Sequence, residues 1–165
     1  MMTQALSAPA TDAVRIRTAL AGDIEAILEL EQVCFQTPHE RFGRRQVRSL
    51  AASRNAYVVV AQTDGSIVGW AAGLTRRHAG GKVSGRIYAV AVHPQSRGLR
   101  IGQRLMEHVL VELGQRGADR VFLEVRWDNL AAICLYEKLG FTRVRIEENY
   151  YCPGMHALKM VKNGG

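Results

Sequence analysis

Residues 121–141 read VFLEVRWDNLAAICLYEKLGF, and this stretch decides the fold. The apolar, β-branched run 121–125 predicts a strand, and residues 128–139 predict a helix that ends at Gly140. Two more strands, at about 142–151 and 156–161, complete the chain. A strand, a helix and returning strands indicate an α/β or α+β domain in which helices cover a sheet.

The elements before this stretch extend the sheet. Strands are predicted at 14–17, 57–61, 67–74 and 87–92, with Asp64-Gly65 as a hairpin turn between the second and the third. Helices are predicted after a capping Asp23, over the strongly basic residues 40–54, and over 98–116 with a stop at Gly117. The apolar faces of the first and third helices contain Ile24, Ile27, Leu28, Glu31 and Cys34, and Leu105, Met106, Val109, Leu110 and Leu113.

The order β, α, α, β, β, β, α, β, α, β, β predicts one domain over residues 14–162. We expect a mixed, mostly antiparallel central sheet of six to seven strands, flanked by about four helices. Residues 1–13 are small and polar and are predicted to form a disordered tail.

Composition restricts the class of protein. The 165 residues are 47% hydrophobic, as in a soluble globular domain, and contain neither a signal-peptide pattern nor an apolar run of ~20 residues. We therefore expect a cytoplasmic protein without a membrane span. Cys34, Cys134 and Cys152 are odd in number and lack CxxC spacing, which predicts reduced thiols rather than a disulfide or zinc framework. The net charge of +7 favours nucleic acid, a membrane surface or a phosphate-bearing cofactor as partner.

Residues 93–103, HPQSRGLRIGQ, join an apolar strand to a helix. A glycine-containing turn that opens a helix presents free N–H groups at the positive end of the helix dipole, which predicts an anion site. Arg97, Arg100 and Arg104 add positive charge. The loop lacks the Lys of a P-loop and the GxGxxG of a dinucleotide site. The alternative is a helix start that uses Gly98 and Gly102 for packing.

Glu124, Asn129 and Tyr136 are the candidate chemical residues of the 121–141 stretch. Glu124 faces the opposite side of its strand from Leu123 and Val125, so its carboxylate is either paired or desolvated with a raised pKa. Asn129 and Tyr136 share a helix face. Taken singly, each residue also has a purely structural interpretation: a satisfied acid, a helix cap and a core ring.

Together, the two segments resemble GNAT N-acetyltransferases. Residues 97–102, RGLRIG, are similar to the Arg/Gln-x-x-Gly-x-Gly/Ala signature, with Arg100 in place of the first glycine, and residues 129–141 are similar to the Asn-to-Phe helix segment of that family. Glu-Val-Arg before Asn129 and Asn149-Tyr150-Tyr151 near the end most resemble the branch that acetylates ribosomal-protein N-terminal alanines. Residues 152–156, CPGMH, depart from the acidic residues usual there. We expect the turn to be helical at Arg100, so that arginine costs little.

The resemblance implies transfer of an acetyl group from acetyl-CoA to a primary amine, namely a protein or peptide N-terminal α-amine, without a metal. Glu124 would be the general base and Tyr136 the acid that protonates the leaving thiolate. Cys134 would pack in the helix rather than act as a nucleophile. The residues expected to bind the cosubstrate are Val90, Ala91, Val92, Arg97, Gly98, Leu99, Arg100, Ile101, Gly102, Gln103, Asn129 and Tyr136, with the amide of Val92 at the oxyanion.

Two alternatives stay open. The basic second helix (Arg41, Arg44, Arg45, Arg48 and Arg54) would dock nucleic acid in a non-catalytic module, although Phe42 is the only aromatic residue near it. An acetyltransferase for a small-molecule amine is the other, and the positive charge of the chain weakly disfavours polycationic acceptors. We expect no membrane partner, no nucleic acid, and a monomer or homodimer.

Overall fold

The computed structural model describes residues 13–164 and places seven strands and four helices in this range. The predicted tail lies outside the described residues, except for Ala13. The strands are β1 (Arg15–Thr18), β2 (Ala56–Thr63), β3 (Ser66–Arg77), β4 (Val83–Val92), β5 (Ala118–Arg126), β6 (Thr142–Cys152) and β7 (Met155–Asn163). The helices are α1 (Ile24–Cys34), α2 (Arg44–Ala52), α3 (Ile101–Gln115) and α4 (Leu130–Lys138).

The strands form one sheet in the order β1-β2-β3-β4-β5-β7-β6. Every neighbouring pair is antiparallel except β4 and β5, which are parallel because α3 connects them as a crossover. The predicted mixed, mostly antiparallel sheet with four helices is confirmed. The Asp64-Gly65 turn is also as predicted, since both residues have positive φ and Thr63 pairs with Ser66.

The two faces of the sheet carry separate cores. On one face, α3 buries Ile101, Leu105, Met106, Val109 and Leu113, together with Ile133 of α4. On the other face, α1 and α2 bury Ile27, Leu30, Val47 and Leu50 around Trp70. Each of these side chains contributes roughly 1.5–3 kcal/mol on burial, so the helices are fixed firmly to the sheet.

The sheet opens into a fork between its two parallel strands. Pairing between β4 and β5 ends at Arg86 opposite Phe122, while β4 continues to Val92 and β5 to Arg126. A bulge at Tyr88 interrupts the register between β3 and β4. The bulge shifts the alternation of β4, so that Ile87 packs in the α3 core and Ala89 in the α1–α2 core.

Four local predictions are wrong. Asp23 does not cap α1, because its carboxylate accepts hydrogen bonds from Arg17 and from the backbone N–H of Leu20. The second helix is shorter than 40–54, since Pro38–Glu40 form a separate 3-10 turn. The third helix begins at Ile101 rather than near Gly98, for reasons given below. Cys134 is exposed and does not pack in the core.

Candidate active site

The fork between β4 and β5 opens a cavity of about 450 Å³. Its lining includes Phe35, Arg41 and Phe42 after α1, Arg86, Tyr88 and Val90 on β4, Glu124 on β5, Asn129 and Tyr136 at α4, and Tyr150 and Tyr151 on β6. The cavity therefore combines residues from both faces of the sheet. It brings together Val90, Glu124, Asn129 and Tyr136 of the predicted site.

Glu124 faces this cavity because the alternation of β5 directs Leu123 and Val125 into the α3 core. Its side chain is 8% exposed, and its Oε2 lies 2.6 Å from Nη2 of Arg86. Loss of water raises the pKa of Glu124, and the positive charge of Arg86 opposes that rise. The structure thus combines the two alternatives of the sequence analysis, since the carboxylate is both desolvated and paired.

Tyr136 lines the cavity from α4, and its ring packs edge-on against Phe141 with centroids 6.1 Å apart. Burial raises the pKa of Tyr136 to about 12, so the phenol stays protonated at neutral pH and can act as a donor. Asn129 accepts a hydrogen bond from the N–H of Ala132 through Oδ1 at 3.2 Å. Asn129 is therefore a helix cap, as its purely structural interpretation predicted, and it also lines the cavity beside Tyr136.

The loop before α3 passes twice through left-handed backbone. Gly98 has a φ of 84°, and Arg100, directly before Ile101, has a φ of 58° and a ψ of 22°. The expectation of helical backbone at Arg100 is therefore wrong. Left-handed backbone costs a residue with a Cβ roughly 1–2 kcal/mol, which explains why a glycine suits this position. The C=O of Arg100 nevertheless accepts the first α3 hydrogen bond, from the N–H of Arg104 at 3.0 Å.

Three backbone N–H groups at the start of α3 have no acceptor within the helix, namely those of Ile101, Gly102 and Gln103. They lie at the positive end of the helix dipole, as an anion site requires. A Cβ on Gly102 would make only ordinary contacts, at 3.5 Å to Leu135 and 3.6 Å to Val92. Packing of α3 therefore does not require glycine at this position, which weakens the packing interpretation of the loop.

The end of β4 directs backbone groups into the fork. The N–H of His93 donates to the C=O of Val68 on the β3 side at 2.8 Å, so by alternation the N–H of Val92 points the opposite way. Val90 shares that direction. The side chain of Arg97 folds back, and its Nε donates to the C=O of Val92 at 3.3 Å. The guanidinium of Arg97, which was predicted to bind the cosubstrate, therefore also holds the loop against β4.

Some predicted site residues have side chains that pack in or against the two cores. The side chains of Ala91 and Ile101 are buried in the two cores, and Leu99 packs against the α3 core.

Within residues 13–164, no cluster of three His, Cys, Asp or Glu side chains could hold a metal ion. None of the helices in the same range is long and apolar enough to cross a bilayer.

Sequence reasoning did not place four residues that shape the cavity. Tyr150 and Tyr151 line it because Asn149 leaves the β6 pairing with a φ of 54°, and Pro153-Gly154 then turn the chain into β7. Arg86 contacts Glu124 across the fork. For Tyr150 and Tyr151, the sequence signal was the loss of strict alternation in 142–151, where Asn149 stands beside aromatic residues. For Arg86, the sequence contained no such signal.

Glu31 is the fourth, and it fixes the segment between α1 and α2. Its side chain is buried on α1 and accepts hydrogen bonds from Nε1 of Trp70 and from the N–H of Phe42, each at 2.9 Å. Phe42 in turn packs edge-on against Trp70 at 5.6 Å. The sequence pattern counted Glu31 in an apolar helix face, yet a carboxylate here anchors one wall of the cavity.

The fold and the cavity define an α/β domain with a forked sheet and a helix start beside the fork whose free N–H groups suit an anionic ligand. A family model described as Acetyltransferase (GNAT) family matches residues 24–141. The chain is 33% identical over 160 residues to the N-alpha-acetyltransferase RimI of Mycobacterium tuberculosis, with 94% of this chain and 96% of that relative covered. The chain belongs to the GNAT acetyltransferase family.

Other relatives match over shorter parts. A segment of 65 residues is 45% identical to the ribosomal protein bS18-alanine N-acetyltransferase of Escherichia coli. That alignment spans 44% of the Escherichia coli protein. A separate alignment, 34% identical over 136 residues, covers 82% of this chain and 36% of an uncharacterized protein of Mycobacterium leprae, so each alignment spans less than half of the relative's own length.

Among solved structures, the Escherichia coli ribosomal-protein-S18-alanine N-acetyltransferase superposes with a TM-score of 0.76 at 26% identity and covers 91% of this chain and 93% of its own. Ard1 from Thermoplasma volcanium gives 0.78 at 26% identity, with 93% and 99% covered.

Proposed function

We propose that residues 14–162 form an acetyl-CoA-dependent N-acetyltransferase that acts on the N-terminal α-amine of a protein or peptide. The observation that carries this proposal is the fork, where Glu124 and Tyr136 line one cavity beside an open helix N-terminus. The names of the relatives support the acceptor class, because they include enzymes for N-terminal amines.

The cosubstrate would bind from the α3 side of the sheet. The N–H groups of Ile101, Gly102 and Gln103 would hold the pyrophosphate of acetyl-CoA, and Arg100 would add charge from an exposed position. The pantetheine arm would then extend along the unpaired edge of β4. With this direction, the thioester would lie near Val92 at the end of β4 and near Tyr136, at the fork.

The acceptor would enter from the opposite face, past Tyr150 and Tyr151. An α-amine has a pKa of ~8 and arrives largely protonated at neutral pH, so a base must remove a proton. Glu124 takes that proton, directly or through water, and the amine nitrogen bonds to the acetyl carbon. The N–H of Val92 donates to the oxyanion that forms.

Collapse of the tetrahedral intermediate breaks the carbon–sulfur bond and releases the thiolate of coenzyme A. Tyr136 donates its hydrogen to that sulfur. The pKa of Tyr136, about 12, lies above the ~8.5 of a thiol, so full proton transfer from the phenol to the thiolate is uphill. The phenol therefore contributes first as a hydrogen-bond donor to the developing thiolate, and its proton passes as the product leaves. The second proton that the nitrogen loses as the amide forms restores Tyr136 through water, and Glu124 releases the first proton to solvent.

A non-catalytic nucleic-acid module has less support. Phe42 packs against Trp70 instead of forming an exposed stacking platform, and Arg44 on α2 pairs with Glu25 on α1.

The three cysteines are free thiols, which agrees with a reducing compartment, and we propose that the protein works in the cytoplasm.

The test is mass spectrometry of acceptors after incubation with acetyl-CoA and the protein. The acceptors are peptides with different N-terminal residues, and each has a matched copy with a blocked N-terminus and a free lysine. Each unblocked peptide should gain one acetyl group on its α-amine, and the blocked copies should gain none. Acetylation of small amines with no peptide modified would contradict the proposed acceptor class. Acetylation of no amine at all would contradict the activity.

A further inference from the structure

The fork contains an arginine that the proposed chemistry does not use. Arg86 is the last β4 residue that pairs with β5. Its Nη2 lies 2.6 Å from Oε2 of Glu124 and also donates to the phenol oxygen of Tyr150 at 2.8 Å. Its guanidinium carbon lies 5.2 Å from the ring centroid of Tyr88. One side chain therefore joins β4, β5 and β6 at the point where backbone pairing ends.

We propose that Arg86 is a positioning residue of the acceptor site, which orients the carboxylate of Glu124 and the phenol of Tyr150 and supplies the counter-charge that keeps a protonated acceptor from forming a stable ion pair with Glu124. The proposal rests on the proposed function, since it takes Glu124 as the group that accepts the acceptor's proton.

The counter-charge matters because the acceptor arrives mostly as an ammonium ion. A bare, desolvated carboxylate would bind that cation in an ion pair, and the amine would keep the proton that blocks its attack. With Arg86 beside Glu124, the pair is close to neutral, so the cation gains little by binding. The bound ammonium ion is then stabilised less, so it gives up its proton to Glu124, directly or through water, more readily.

Other charged groups surround Glu124 without replacing Arg86. Glu147 and Arg145 on β6 pair with each other at 3.2 Å. Lys159 on β7 lies opposite Glu124 in the strand register, but its Nζ is 4.9 Å from the ring centroid of Phe122. Within residues 13–164, Arg86 is the ion-pair partner of Glu124 at salt-bridge distance. Tyr150 completes the set, through its hydrogen bond to Arg86.

The experiment compares Arg86→Gln, Arg86→Lys and a matched control, Arg120→Gln, which removes the same charge from an exposed position at the other end of β5. For one acceptor peptide, kcat and KM are measured between about pH 6.5 and 9. We expect Arg86→Gln to lower kcat roughly 10- to 100-fold, as for a displaced reacting group. KM should fall below the wild-type value at pH 7 and converge with it above the amine pKa of ~8.

Arg86→Lys keeps the charge and should restore the wild-type KM and part of kcat, while Arg120→Gln should match the wild type. An unchanged kcat in folded Arg86→Gln, judged by its melting curve with coenzyme A, would overturn the proposal. A KM that rises equally at every pH and is not corrected by lysine would also overturn it, because that pattern indicates only lost packing.

A second readout does not depend on turnover. The ¹³C resonance of the Glu124 carboxyl, identified by its loss in Glu124→Gln, reports its titration directly. Arg86→Gln should raise the pKa of Glu124, because it removes the neighbouring positive charge, and Arg120→Gln should leave that pKa unchanged. An unmoved titration overturns the coupling of Arg86 to Glu124. A moved titration in a protein that acetylates no peptide contradicts the proposed function and leaves the coupling standing.

Discussion

At the scale of single residues, the roles proposed for Glu124 and Tyr136 require opposite protonation states, and burial affects the two side chains differently. A base must be ionised, and the ion pair with Arg86 offsets part of the effect that desolvation has on the pKa of Glu124. An acid must keep its proton, and desolvation alone ensures this for Tyr136. Arg86 beside the carboxylate of Glu124, and the lack of an arginine paired with the phenol of Tyr136 within residues 13–164, therefore fit the proposed roles.

Tyr136→Phe should lower turnover about 10²-fold or more and leave acetyl-CoA affinity within a few-fold, because the ring keeps its packing on Phe141 while the donor is lost. Steady-state kinetics and calorimetric titration with coenzyme A measure the two effects. Tyr57→Phe is the matched control, since Tyr57 packs near Arg116 rather than in the fork. Wild-type turnover in Tyr136→Phe, under conditions where chemistry limits the rate, would make Tyr136 a packing residue.

At the scale of elements, the loop before α3 keeps left-handed backbone at Arg100 where the family signature has glycine. Arg100→Gly should raise the free energy of unfolding by up to about 1 kcal/mol, because relief of ~1–2 kcal/mol of backbone strain exceeds the added freedom of glycine in the unfolded chain. Denaturant unfolding measures this. Arg100→Ala keeps the strain, removes the guanidinium and should weaken coenzyme A binding without a stability gain. A less stable Arg100→Gly protein would contradict the strain argument.

The contact between β3 and α3 depends on a missing side chain. A Cβ on Gly73 would lie 2.5 Å from Cγ1 of Val109 and 3.1 Å from Cδ1 of Leu113. Gly73→Ala should therefore destabilise the fold by roughly 1–3 kcal/mol through overpacking. Gly114→Ala, on the same helix with nothing within 4 Å of its Cβ, should be neutral or stabilise by roughly 0.5–1 kcal/mol. Equal melting temperatures for the two variants would show that α3 can move away from β3.

At the scale of the whole molecule, the architecture was predictable and the fork was not. The β-branched run of β2 and the helical spacing of α3 are local patterns, so the sequence predicts each element and their order. The fork depends on where β4–β5 pairing stops, and the bulge at Tyr88 depends on the register with β3, neither of which is local. Glu124 and Tyr136 could be named from spacing and resemblance, whereas Arg86 acquires its meaning only through a contact between distant strands.

Acetyl-CoA binding should stabilise the whole domain, because the cosubstrate would bridge α3, β4 and α4 only in the folded protein. A ligand at 100 times its Kd adds about 2.7 kcal/mol to the free energy of unfolding, so the melting temperature should rise with concentration. Differential scanning calorimetry with coenzyme A measures this, and adenosine alone is the control for weak binding. A melting temperature that saturating coenzyme A does not move would contradict the cosubstrate assignment.

The most direct measurement compares acetyl transfer by the wild type and Glu124→Gln on one preparation, with mass gain of an N-terminal peptide as the readout and a melting curve alongside. Glutamine keeps the shape of the side chain and removes its basicity, so turnover should fall by ~10²–10⁴-fold. The loss should shrink above pH ~8, where the amine arrives neutral. Wild-type specific activity in Glu124→Gln, with only a lowered melting temperature, would contradict the account, because Glu124 would then hold the fork together without taking the proton.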